Sequence, residues 1–155
     1  MNPETFVDIA MFQDGDGLYD GRLDENGDFV EIDTAESAIF HSIFTDRRAR
    51  ADEVADPMKR RGWIGDMSLP GVGDYVGSGV WLYEQRRLLP AVTAGVEAEA
   101  YQSLSWMISD GFAKSISTAS KRNAALRRQD LIVTMTDPLG NVTSKSYAMW
   151  TNTGA

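Results

Sequence analysis

The stretch DLIVTMTDPLGNVTSKSYAMW, residues 130–150, decides the fold. Its first eight residues are rich in β-branched side chains and read as a strand. Asp137, Pro138, Leu139, Gly140 and Asn141 together are turn chemistry. The residues that follow, from Val142 to the end of the stretch, close a hairpin with the first strand. Just upstream, FAKSISTASKR (residues 112–122) alternates weakly and is expected to add a further strand. The C-terminal third is therefore β.

Towards the N-terminus the period changes. Pro90 suits the first turn of a long helix. Val92, Val96, Ala100, Leu104, Met107 and Ile108 give it one apolar stripe, and Gly111 stops it. Glu97 and Glu99 are assigned to its wet side. VWLYEQRRL (residues 80–88) reads as a short helix, with a strand as the alternative. Residues 33–47 read as another helix: Asp33 can cap it, Glu36 stands at capping-box spacing, and Ala35, Ile39, Phe40, Ile43 and Phe44 form the stripe. Arg47 and Arg48 then fall at its C-terminal end, where cations suit the helix dipole. Residues 49–78 are rich in glycine and form a long irregular loop, which is more often functional than accidental. At the front, residues 6–12 are apolar apart from Asp8. QDGDGLYDGRLDENGDF (residues 13–29) is turn chemistry, and FVEI (residues 29–32) returns as a short strand. Residues 6–32 are thus a β-hairpin or small meander with an acidic tip.

Segregated helices and strands imply an α+β fold. The expected architecture is a small antiparallel sheet with two long helices and one short helix packed on one face, and an irregular loop at about 49–78. A length of 155 residues suits one domain, 1–155, with a genuine core. Hydrophobic content of 43% and four tryptophans argue against disorder.

Charge is uneven. The net charge is −8, yet residues 1–36 carry eleven acids against Arg22 alone, and residues 37–155 are slightly basic. An acidic front repels phosphate, which argues against nucleic acid as a partner. With no cysteine there is no disulfide, no thiol catalysis and no soft-metal site. No run of 18 apolar residues spans a membrane, and MNPETFVDIAMF lacks the basic and apolar regions of a secretory leader. The expectation is a protein folded in the cytoplasm.

Catalytic and metal constellations are weak. Asp14, Asp16, Asp20 and Glu25 occupy positions 1, 3, 7 and 12 of a calcium-loop frame, but Leu18 and Tyr19 stand where a ligand and the turn glycine belong. A solvated acidic turn is the simpler reading. His41 is the only histidine and has no cysteine beside it, which removes a triad or zinc site. GVGDYVGSG (residues 71–79) has Val76 where a GxGxxG cradle needs glycine, and no Gly-Lys-Ser/Thr follows. No acid sits in an apolar setting with a partner at helical spacing, as a glycosidase pair would. No cofactor is expected.

The cations of FTDRRARADEVADPMKRRGWIGD (residues 44–66) remain to be placed. Arginine forks suit carboxylates, phosphates and carbonyl groups. Arg47, Arg48, Arg60 and Arg61 come as two pairs near Asp46, Asp56 and Asp66. One reading is that arginine–aspartate pairs staple the loop. The other is that the loop presents arginine and Trp63 to another protein, since both types are enriched at interface hot spots.

IFTDRRARADEV, KRRGWIGD, GSGVWLYEQRRLLP and SLSWMISDGFA, in that order, resemble the small baseplate protein of Mu-like phages and prophages. That family is related to the lysozyme-like wedge subunits of contractile tails and type VI secretion systems. The resemblance spans about residues 5–150 and is less familiar over the acidic segment 14–28. It implies structural work without catalysis. The partners would be other baseplate wedge and hub proteins and the tail sheath protein, with several copies placed around the tail axis of a virion. By carry-over, Thr45, Asp46, Arg47, Arg48, Arg60, Arg61, Gly62, Trp63, Gly65 and Asp66 form a signature loop. Related sheath arms add a β-strand to the edge of a wedge subunit. The candidate edge here is Val142, Thr143, Ser144, Lys145, Ser146, Tyr147, Ala148, Met149 and Trp150; an ordinary sheet strand is the plainer alternative. A muramidase-like hydrolase and a regulatory binding module on the same fold are the competing functions. Residues 49–78 are expected to be mobile in the free protein, because nothing in the sequence supplies a core to hold their arginines.

Overall fold

The computed structural model describes residues 8–13, 19–32, 35–68, 76–84, 89–123, 125–126 and 128–151. It divides into two compact units, residues 1–41 and 42–155. The class is α+β, as expected from the segregated pattern.

The front unit is a nested pair of short ribbons. Strand β1 (Asp8–Ile9) pairs antiparallel with β4 (Glu31–Ile32), and β2 (Met11–Gln13) with β3 (Tyr19–Gly21). The Leu23–Phe29 bridge continues the meander towards its acidic turn. The Asp24 carboxylate orders that turn by accepting from the backbone N–H groups of Asn26 (2.8 Å) and Asp28 (3.1 Å). These backbone bonds hold its pKa below the usual aspartate value. Gly27 takes the left-handed conformation (φ 87°) that such a tip needs. The Asn-Gly signal had located this turn. Asp14 and Asp16 of the calcium-loop frame lie outside the described residues.

Helix α1 (Glu36–Phe44) leads out of this unit with Ala35 and Ile39 buried. It is shorter at its C-terminal end than the period predicted, and Asp33, the expected cap, lies outside the described residues. The helix stops because the chain after it pairs elsewhere. Ser78 N–H donates to the Thr45 carbonyl (2.9 Å), Arg47 N–H donates to the Ser78 carbonyl (3.0 Å), and the Ser78 hydroxyl donates to the Ile43 carbonyl (2.5 Å). Arg47 and Arg48 therefore do not end a helix, which corrects the dipole reading.

In the second unit, α2 (Pro90–Ser109) has Pro90 in its first turn, and Gly111 follows its end with φ 81°. Val92, Val96, Ala100, Leu104 and Met107 are buried, as the stripe predicted. The sheet has the order β5 (Ser115–Asn123), β6 (Arg128–Thr136), β7 (Val142–Thr151), all antiparallel. Along β6, Gln129, Leu131, Val133 and Met135 alternate inward with strict period 2. On β7, Tyr147 and Met149 join them. A register shift between Arg128 and Asp130 sets two β7 residues opposite Gln129, a bulge near the open end of the hairpin. Phe44 packs edge-on against Tyr147 (5.7 Å between centroids), and Trp106 donates its indole N–H to Ser42 (3.1 Å). Of the short helix expected at residues 80–88, the described part holds a 3-10 turn, Val80–Tyr83, and residues 85–88 lie outside the described residues.

Candidate functional site

Two predicted surfaces need placing: the signature loop and the β7 edge. The loop follows α1 and is not irregular throughout. It contains 3-10 turns at Pro57–Lys59 and Ile64–Ser68. Asp56 caps the first by accepting from Met58 N–H (3.0 Å).

Arg47 is the centre of the loop. Its guanidinium grips Glu53 with two N–H groups (2.8 and 2.9 Å) and Glu99 with Nε (3.2 Å) and Nη2 (2.9 Å). The side chains of Arg47, Glu53 and Glu99 are only 16, 14 and 20% exposed. The charge-assisted fork holds the Glu53 carboxyl down to about 2, against the effect of burial, and the Arg50 N–H adds to it. The same bonds raise the Arg47 pKa. Glu99 also accepts from Gly79 N–H (3.0 Å), and the Trp81 indole donates to the Arg47 carbonyl (2.9 Å). A Cβ at Gly79 would lie against both the Glu99 carboxylate and the Arg47 guanidinium, so a larger residue there would have to displace this pair.

The other cations are also engaged. Arg61 pairs with Asp46 (3.0 Å) and Glu84 (3.3 Å) and lies 4.6 Å from the Trp81 ring centroid. Arg48 donates to the carbonyls of Pro57 and Arg61 (both 3.2 Å), and Arg60 to those of Val54 (2.7 Å) and Ala55 (3.0 Å). Gly62, at φ 111°, packs its Cα side against Arg48. Asp66 accepts from Val76 N–H (3.3 Å). Stapling thus accounts for the arginines, although the partners are mostly glutamates and carbonyls rather than the neighbouring aspartates. The expected mobility of residues 49–78 rested on the lack of anything to hold them; over the described part of the loop, these bonds and the buried Ala49 supply it. Beside exposed Arg50, Asp52 and Lys59, the loop exposes apolar side chains. Met58 is 92% and Ile64 80% exposed, and Trp63 is half-exposed with its ring laid over Gly65.

Glu97 and Glu99 were assigned to water, and the structure overturns this. Glu99 follows Val92 by seven and Val96 by three, so it flanks the buried stripe. Glu97 precedes Ala100 by three and Leu104 by seven. Its carboxylate accepts the Ser120 N–H (2.6 Å) and its carbonyl accepts from the Thr118 hydroxyl (3.0 Å). The helical spacing held this signal; the choice of long-range partner did not show in it.

The Glu97 contact separates the two sheet edges. The outer edge of β5 is met by α2 through Ser120 and Thr118. The outer edge of β7 ends the strand order among the described residues. The candidate edge residues Val142 to Met149 all lie in β7, and Trp150 belongs to the same strand. Thr143, Lys145, Tyr147 and Met149 share the inner face with Met135, Val133, Leu131 and Gln129; Ser144, Ser146 and Ala148 share the outer one. Lys145 lies 5.8 Å from the Tyr147 ring centroid, and partial burial lowers its pKa.

Among the described residues no three acids or histidines form a cluster able to hold a metal, and no helix is long and apolar enough to cross a membrane. His41 is exposed beside Phe40.

The family model described as phage protein GP46 matches residues 35–142. The Mu-like prophage FluMu protein gp46 of Haemophilus influenzae is 30% identical over 106 residues, which cover 68% of this chain and 71% of that protein. The matched span contains α1, the Arg47 loop, α2 and two of the three sheet strands, and on these grounds the chain belongs to the phage protein GP46 family, with a Mu-like prophage relative.

Proposed function

We propose that this phage-family protein is a structural subunit of a contractile-tail baseplate, related to wedge subunits, located in the virion tail and assembled in the host cytoplasm. It works by binding wedge and hub neighbours and the first sheath ring, without catalysis. The observation that carries this reading is the contrast between the sheet edges: Glu97 occupies the outer edge of β5 at Ser120, whereas β7 offers ten residues at the end of the sheet. A sheath segment pairing there would extend the sheet by strand addition. Lys145 is the single charged side chain along that strand. The loop offers the second surface. Its cations are tied internally, so Met58, Trp63 and Ile64 make the contact with a wedge neighbour, and Arg47 acts by shaping the loop.

Co-purification with baseplate and sheath proteins tests this reading. Proline placed at successive β7 positions 143 to 146 removes one N–H at a time. Positions whose N–H faces β6 should unfold the sheet. The alternating positions should keep the fold and lose sheath binding, while Trp63→Ala and Ile64→Ala should lose wedge binding only. Folded variants that retain every partner would sink the assignment, as would clearing of cell walls by the purified protein.

A further inference from the structure

We infer that the front unit of one copy docks on the β5–β6 turn of a second copy. This goes beyond the baseplate reading and does not depend on it, since it rests on two surfaces of the chain itself.

The first surface is the acidic turn of residues 22–30. Leu23 and Phe29 face each other across their bridge and are 60% and 53% exposed. Asp24, Glu25 and Asp28 rim them, exposed, and make no ion pair among the described residues. The bonds to the Asp24 carboxylate fix the turn, so the apolar pair is presented in one shape. This turn precedes the span matched by the family model, which starts at residue 35.

The second surface is the end of the β5–β6 hairpin. Leu126 is 53% exposed there, and its N–H donates to Asn123 Oδ1 (3.2 Å). Lys121 and Arg122 are exposed beside it and make no ion pair among the described residues. The loop cations Arg47, Arg50, Lys59 and Arg61 are each already paired with a carboxylate.

Each surface is therefore an exposed apolar point beside charge of mainly one sign: Asp24, Glu25 and Asp28 outnumber Arg22 at the first, and Lys121 and Arg122 stand at the second, where Asp130 is paired with Arg128. Residues 1–41 carry eleven acids and one base, residues 42–155 fourteen bases and twelve acids, so the complement to the front unit is present in every other copy. The contact joins unlike surfaces of two copies. Both surfaces are small, which makes the contact weak and strongly screened by salt.

Sedimentation equilibrium of the full chain, from about 20 μM to 1 mM, reads this directly. At about 50 mM sodium chloride the mean mass should rise with concentration, and at about 300 mM the association should weaken by roughly tenfold or more. Two variants keep the Asp24 turn intact: Glu25→Lys with Asp28→Lys, and Lys121→Glu with Arg122→Glu. Each alone should be monomeric, and a mixture of the two should associate, because each then supplies the sign the other has lost. Circular dichroism confirms that both fold, and the hairpin variant stands as a test without the other. A protein monomeric at low salt throughout the range overturns the inference. So does association indifferent to salt, or a charge-reversed variant that still self-associates.

Discussion

Replacing Arg47 with alanine removes the fork that joins the loop to α2. Two carboxylates, 14 and 20% exposed, would lose the cation they share, leaving Glu53 with Arg50 (2.8 Å) and Glu99 with the Gly79 N–H. An exposed ion pair contributes about 0–1 kcal/mol, whereas breaking a fully buried one costs about 3–5 kcal/mol. Exposure of a fifth or less places this site nearer the second case, with some screening by water, so a loss of ~2–4 kcal/mol is expected. That is a large share of the ~5–15 kcal/mol that holds a typical domain. Urea unfolding followed by tryptophan fluorescence measures it, with Trp81 as a local reporter through its bond to the Arg47 carbonyl. Arg47→Lys keeps the charge but not the fork, and should recover only part of the loss. Arg47→Ala combined with Glu99→Gln should cost less than the sum of the two single changes, because the neutral amide relieves the orphaned charge. A loss below about 1 kcal/mol for Arg47→Ala, or full additivity in the double variant, would refute the view that this guanidinium holds the loop.

The same network sets a pH dependence. The Glu53 carboxyl titrates at about 2, below its ordinary 4.5, so its contribution is complete above about pH 4.5 and is lost as pH falls towards 2. Thermal melts from pH 5 to 2 should show a component of about 1–3 kcal/mol that Glu53→Gln abolishes. Gly77→Ala, at φ 101° and with its new methyl forced into the Thr45 carbonyl, should lower stability by ~2 kcal/mol or more in the same unfolding assay. Gly140→Ala, at φ 93° but facing open space, should cost only ~1 kcal/mol. Leu104→Ala, fully buried on α2, is expected to cost ~2–5 kcal/mol, while Leu139→Ala, at 75% exposed, should be near neutral by denaturant titration.

The sequence alone determined the elements whose signals are local. The β-branched period of residues 131–136, the turn at 137–141, the stripe from Val92 to Met107 and the stop at Gly111 all depend on near neighbours, and each stands where its pattern put it. The family signature was legible for the same reason, as an ordered set of short motifs. Tertiary structure alone decided which charges meet. A guanidinium reaches several carboxylates and carbonyls equally well from sequence, and only the folded chain brings Glu99, 52 residues from Arg47, within 3 Å. The end of α1 was settled in the same way, by Ser78 pairing with the chain at Thr45 and Arg47 rather than by any stop signal of its own. So was the asymmetry of the sheet, since a strand cannot record whether a helix carboxylate will meet its edge. Short-range periodicity is written in the order of residues. Long-range pairing is selected by packing, because only burial makes one partner more favourable than its equivalents.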